Sequence, residues 1–162
     1  MDNKISYQTY DGNLMAKAIG KNMPISLKNT VEILNAIRNK KVEYVLNYLD
    51  KVIAMEIPIP FTIYNRETAH KPGMMAGRYS VKASFNIKRL VNACKKNAVD
   101  KGFGEDLVII HASAHKGTTV YKYGRHHGKK AKSTHVEIVV KEAISKENKD
   151  AKKNQENHQI RR

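Results

Sequence analysis

The feature that most constrains this chain is a stretch that cannot build a core. Leu107-Val108-Ile109-Ile110, continuing through residues 111–114, and the alternating run His135-Val136-Glu137-Ile138-Val139-Val140 both read as strands. The twenty residues between them, 115–134, hold very little that could fill an interior. No Asp or Glu occurs from Leu107 to Val136, yet Lys116, Lys122, Arg125, Lys129, Lys130 and Lys132 all lie there, with Tyr121 and Tyr123 among them. If the segment extends the two strands as a ribbon, each arm gains about nine residues, a projection of about 30 Å at roughly 3.3 Å per residue. A two-stranded ribbon standing alone is marginal in water. A partner must therefore supply the missing contacts. A second acid-free stretch, Thr68 to Val99, carries Lys71, Arg78, Lys82, Lys88, Arg89, Lys95 and Lys96. The net charge of +15 is thus segregated along the chain. Long acid-free stretches with arginine and aromatics suit a polyanion, because each neutralised phosphate releases counterions.

The rest of the composition narrows the class. A chain of 162 residues, 41% hydrophobic, is long enough for one domain with a real core. With no Trp and three Phe, that core must come from Ile, Val, Leu, Ala and Met. Cys94 is the only cysteine, so it can make neither an internal disulfide nor a thiolate zinc site. A reducing compartment is the simpler assumption. Residues 1–10 are polar and lack a hydrophobic signal segment. No apolar run approaches the roughly 20 residues needed to span a bilayer. The expectation is a soluble, cytoplasmic chain with no membrane partner.

Residues 1–11 read as a mobile N-terminal segment, 12–142 as a single globular domain that includes an extended hairpin at 115–134, and 143–162 as a polar tail too poor in apolar residues to fold alone. Within the domain, residues 14–18 give a weak strand that Gly20 ends. Ser26 is the expected N-cap of a helix carrying Leu27, Ile33, Leu34 and Ile37, which stops near Asn39. A second helix at 42–54 buries Val45, Leu46, Leu49, Val52 and Ile53, and the short connection makes a helical hairpin. Pro58 and Pro60 force residues 57–61 to be extended. Residues 61–79 read as a long loop. A third helix, 81–101, is capped by Ser80 and packs Ala83, Ile87, Leu90, Cys94 and Ala98.

Several blocks then match a known family in order. They are Ser26-Leu27-Lys28-Asn29 with Ala36-Ile37-Arg38, Val42 through Tyr48-Leu49 to Val52-Ile53, Pro60-Phe61 with Tyr64-Asn65, and Ala76-Gly77-Arg78-Tyr79. They continue with Asn92-Ala93, Asn97-Ala98, Lys101-Gly102, Asp106-Leu107-Val108-Ile109, Ala114-His115-Lys116-Gly117 and His135-Val136-Glu137-Ile138. Across about Leu14 to Glu142 the chain resembles the large-subunit ribosomal protein family numbered twenty-two in bacterial naming and seventeen in eukaryotic naming, in its archaeal and eukaryotic branch. It departs from that family at Ser80, where relatives usually carry proline, and at His126-His127-Gly128. The resemblance implies an α+β fold in which three helices pack on a three-stranded antiparallel sheet with a long protruding β-hairpin. It implies a structural role in the large ribosomal subunit, with the hairpin lining the nascent-peptide exit tunnel. The implied partners are large-subunit ribosomal RNA, neighbouring ribosomal proteins and the nascent peptide. Carried over by position, Gly124-Arg125 falls near the hairpin tip, and Lys116, Lys122, Arg125, His126, His127, Lys129 and Lys130 would contact RNA.

The residues themselves allow other readings. Residues 115–132 could form a solvated charged loop, although the missing acids, the tyrosines and the flanking strands favour RNA. Lys132 joins the same cationic set. Lysine and arginine would hold phosphate, and Arg125 could also fork onto a base edge. Tyr121 and Tyr123 offer either stacking surfaces or cross-strand packing. Lys71, Arg78 and Lys82 cluster where the loop enters the third helix, a position that favours phosphate. Lys95 and Lys96 read as solvent-facing, and Cys94 as a core residue. His111 and His115, four apart on a strand, sit roughly 13 Å apart along the backbone, too far for one ion. His126 and His127 would point to opposite faces, and no acid or thiol completes a ligand set. No cofactor is expected. Nothing sets a base beside a nucleophile, and Gly117 and Gly124 lack phosphate-loop spacing, so an enzyme is not expected. The alternatives to a ribosomal role are a free-standing RNA-binding or RNA-chaperone protein and, more remotely, a metal-dependent nuclease.

Overall fold

The computed structural model describes residues 5–143; the tail expected at 144–162 and residues 1–4 lie outside the described residues. The fold is built around the strand with the cleanest alternation. β6 (Thr134–Glu142) turns Val136, Ile138 and Val140 to one face, where all three are fully buried. β1 (Met15–Met23) and β5 (Leu107–Lys116) pair antiparallel on either side of it, giving the order β1-β6-β5. The covered face receives α1 (Leu27–Ile37), against β5, and α3 (Val81–Asp100), against β1 and β6. α2 (Val42–Ile53) packs chiefly on α3. The core is aliphatic, as the composition requires. Ile33, Leu34, Ile37, Val45, Leu49 and Val52 of the helical hairpin meet Ile87, Val91, Cys94 and Ala98 of α3. The result is an α+β fold of helices and antiparallel strands, as expected.

The helical hairpin turns where its residues allow. Asn39 adopts the left-handed region, φ 60°, and its N–H donates to the Ile109 carbonyl at 2.9 Å. The Ile109 N–H returns a bond to the Lys40 carbonyl at 3.0 Å. The turn is thereby stitched to β5 beside the bulge between Ile109 and His111.

Four local expectations change. β1 does not end at Gly20 but runs to Met23, with an irregularity between these residues and Asn22 at φ 51°. Glycine here admits the Met23 side chain, which any Cβ would strike, so it shapes the strand rather than stopping it. Ser26 and Ser80 are the N-cap residues, but neither hydroxyl makes a cap bond. On α3 the fully buried position is Val91, while Leu90 is half-buried against the core. Residues 61–79 are not a plain loop. They contain β3 (His70–Lys71) and β4 (Met74–Arg78), and β4 also pairs with β2 (Ile59–Pro60) in a small second sheet. The reason is Pro72-Gly73: proline presets the first turn position, and Gly73 takes the required positive φ of 76°.

Past the bulge the two long strands pair without a break from His111↔Val139 to Lys116↔Thr134, and the regular ladder stops there. Beyond it, residues 117–133 fold back on themselves through a few backbone bonds: Gly117 N–H to Ser133 O (3.0 Å), Ala131 N–H to Val120 O (2.8 Å) and Lys122 N–H to Lys129 O (2.9 Å). A single 3-10 turn, Gly124–His126, lies at the tip. The neck is tight. A Cβ on Gly117 would collide with the Ser133 hydroxyl and come within 3.0 Å of Asn22 Oδ1.

The sheet's other face is partly covered by residues that precede β1. Ser6 donates from its N–H (2.8 Å) and its hydroxyl (2.7 Å) to Glu137, and the Tyr7 ring lies 5.0 Å from that of His111. Among the described residues, no helix is long and apolar enough to cross a membrane.

Candidate nucleic-acid interface

The first cationic surface is the finger formed by residues 117–133. Every residue from 121 to 130 is exposed, so Lys122, Arg125, His126, His127, Lys129 and Lys130 all reach solvent. Lys116 is exposed at the end of β5, and Lys132 on the return arm. Among the described residues none of these cations makes an ion pair. The two tyrosines, left open by sequence, part company. Tyr121 bridges to Lys130, whose ammonium lies 5.5 Å from its ring centroid. Tyr123 packs on nothing and is 92% exposed. A ring that open is available for stacking on a base.

The second surface forms where the small sheet meets α1 and α3. Lys71 sits in β3 with its ammonium 5.3 Å from the Tyr79 ring. Arg78 closes β4, lies 5.6 Å from the Phe61 ring and donates to the Glu67 carbonyl at 3.1 Å. Lys82 is exposed in the first turn of α3. A cavity of about 550 Å³ opens beside Arg78, walled by Lys28, Phe61, Tyr64, Arg66 and the carboxylate-bearing Glu67. Lys71 and Arg78 stand in neighbouring strands of the small sheet, Arg78 lining this cavity and Lys82 a second one at the start of α3. Lys28 and Arg66 were missed because they stand far apart in sequence and meet only through the fold.

The geometry of this surface depends on Glu32, which sequence reading passed over. Glu32 is buried, 1% exposed, beside Ile33 and Leu34. Its carboxylate accepts from Thr62 N–H and Oγ1 (both 3.1 Å), Ile63 N–H (2.8 Å) and Tyr64 N–H (2.6 Å). Burial would raise its pKa, but these bonds together outweigh burial and hold it below the ordinary carboxylate range. The anion pins the turn that carries Phe61 and Tyr64. A clue was available: Glu32 is the only acid of α1 and stands among its apolar residues.

Elsewhere on the body three lysines have counter-charges. Lys88 pairs with Asp50, Lys95 with Glu43 at 3.6 Å and Lys41 with Asp106 at 2.8 Å. These half-exposed pairs add little stability.

Other chemistry is sparse among the described residues. No three His, Cys, Asp or Glu side chains are grouped as metal ligands there. His111 and His115 each lie 3.2 Å from the Ser113 hydroxyl, so a serine stands between their rings. Burial first, then Arg38 and His115, lower the His111 pKa against the pull of Glu137. Cys94 is fully buried, and burial pushes its thiol up to about 12, so the thiolate is negligible at neutral pH.

A packed α+β body with an exposed, acid-free cationic segment defines a small basic protein whose residues 117–133 meet no counter-charge among the described residues. The family model described as "Ribosomal protein L22p/L17e" matches residues 18–141, and the chain belongs to that family. The family is one of structural proteins rather than enzymes. Among its relatives, the large ribosomal subunit protein uL22 of Staphylothermus marinus is 42% identical over 149 residues, covering 85% of this chain and 95% of the relative. The protein of the same name from Methanoregula boonei is 39% identical over 150 residues, covering 86% and 97%. That from Archaeoglobus fulgidus is 40% identical over 122 residues, covering 73% and 79%.

Proposed function

We propose that this protein is a structural constituent of the large ribosomal subunit, that it binds large-subunit ribosomal RNA, and that its finger lines the nascent-peptide exit tunnel. Its relatives' names support the ribosomal part of this reading. The RNA part rests on one observation: ten consecutive exposed residues, 121–130, contain four Lys or Arg and no acid. A segment with no core of its own and no internal counter-charge suits a strongly anionic partner. Lys116, Lys122, Arg125, His126, His127, Lys129, Lys130 and Lys132 form the finger contacts, with Tyr123 stacking on a base. Lys71, Arg78 and Lys82 form the body contacts. Phosphate contacts dominate, so recognition follows RNA shape more than base edges.

In this reading residues 12–142 act as one unit with the hairpin at 115–134, in the cytoplasm, and 143–162 are a polar extension. Neighbouring ribosomal proteins are further partners, and the finger tip meets the nascent peptide. Sedimentation of cell extract tests the assignment. A subunit constituent stays with large subunits in moderate salt and leaves only in high salt. A free-standing RNA-binding or chaperone protein would remain at the top of the gradient, and chelator-sensitive RNA cleavage would indicate a nuclease.

A further inference from the structure

We propose that the cavity between the starts of α1 and α3 is a seat for one backbone phosphate of RNA. The inference rests on the proposed function and names a contact within it. The cavity, about 410 Å³, is walled by Ile25, Ser26 and Asn29 at the start of α1, by Ser80 and Lys82 at the start of α3, and by Lys132 from the finger's return arm. No carboxylate lines it.

Two helices, of 11 and 20 residues, therefore open onto one space. Each brings the positive end of its dipole and first-turn N–H groups without an intrahelical acceptor. In most helices an N-cap side chain satisfies one of those donors. Here neither Ser26 nor Ser80 does so.

An independent observation points to a ligand. Ser80 is 7% exposed, and its buried hydroxyl has no hydrogen-bond partner among the described residues. Buried hydroxyls are normally paired, and of the two orphans on α3 and its cap, Ser80 and Ser84, only Ser80 lines this cavity. Lys82 and Lys132 are in no ion pair among the described residues, leaving two ammonium groups for the same anion. The walls are held together, since Thr134 Oγ1 donates to the Ile25 carbonyl at 3.0 Å and ties the start of β6 to the entry of α1.

A backbone phosphate, with two charged non-bridging oxygens, can take bonds from both helix ends and both ammonium groups at once. Because Lys132 belongs to the finger, a phosphate seated here would also couple the finger's base to the body.

The test uses the full chain labelled with ¹⁵N, titrated with inorganic phosphate at fixed ionic strength and, separately, with a short mixed-sequence RNA. The amides of residues 27–29 and 81–83 should shift together along one saturation curve with either probe. Lys82→Gln should weaken phosphate binding about tenfold, the loss of one charge-assisted contact, and Lys82→Arg should restore it. Ser80→Ala should also weaken it while the remaining amide shifts stay in place. Shifts at only one helix start, the same response to chloride, or unchanged binding by Lys82→Gln would overturn the seat. Phosphate binding with no RNA effect at these amides would mark a free-phosphate site and overturn it equally. If RNA moves the finger amides but leaves both helix starts unmoved, the seat fails while the proposed function stands.

Discussion

Among the described residues, several cations of the body have counter-charges, and in the finger none does. Lys41, Lys88 and Lys95 meet Asp106, Asp50 and Glu43, and the sheet lies over a closed aliphatic core. Residues 117–133 have no core, no acid and only a few solvent-facing backbone bonds. The same chain thus contains a part built on its own core and a part that has none. The division falls at Gly117, where β5 and β6 stop pairing regularly and the chain squeezes past Ser133 and Asn22. Stability should therefore be a property of the body, and RNA affinity a property of the finger and the basic edge beside it.

The sharpest separation comes from removing the finger. Replacing residues 118–130 with a short Gly-Ser linker should abolish incorporation into large subunits, read by sedimentation. Thermal unfolding of the body should stay within about 0.5 kcal/mol of the parent, because residues 118–130 are all exposed. A large loss of stability would show that the finger supports the body. Next, Lys129→Ala, Lys130→Ala and Lys132→Ala combined should reduce the slope of log affinity against log salt by roughly 2 to 3, one phosphate contact per lysine. The protein should remain folded.

The converse experiment attacks the body. Glu32→Gln leaves buried N–H groups of residues 62–64 short of acceptors and should cost about 2–3 kcal/mol in denaturant unfolding. The pH dependence has a definite sign. The folded pKa of Glu32 lies below the unfolded value, so its contribution is complete above the unfolded pKa of about 4.3 and fades as pH falls through the folded one. The variant should show a flatter acid limb. The smallest expected effect divides the tyrosines. Tyr123→Ala should weaken RNA binding by about 1–2 kcal/mol in a titration, as loss of one stacked base does. Tyr121→Ala should do less, because its ring is already engaged by Lys130.

What could be read from the sequence follows the same division. The helices and long strands were legible because their apolar periods are strong. Ile33, Leu34 and Ile37 recur at helical spacing, and Val136, Ile138 and Val140 alternate. The acid-free composition of residues 107–136 was legible by what it lacks, while regular strand pairing reaches only Lys116 and Thr134. The small β2-β4-β3 sheet was not, because Met74–Arg78 has no alternating pattern and only Pro72-Gly73 betrays the turn. The Glu32 clamp and the convergence of Lys28 with Arg66 and Arg78 were hidden for a different reason. The Glu32 bonds span 30 to 32 residues of chain, and Lys28 stands 38 residues before Arg66, so no local spacing encodes either.

The central claim is that the finger takes its order from RNA. Amide hydrogen exchange on the full chain, free and bound to large-subunit RNA, tests it most directly. In the free protein, amides of residues 118–130 should exchange near unstructured rates while those of Ile109 and Val136–Val140 stay protected. RNA should then slow exchange across the finger. Protection already present in the RNA-free protein, equal to that of β6, would contradict the account.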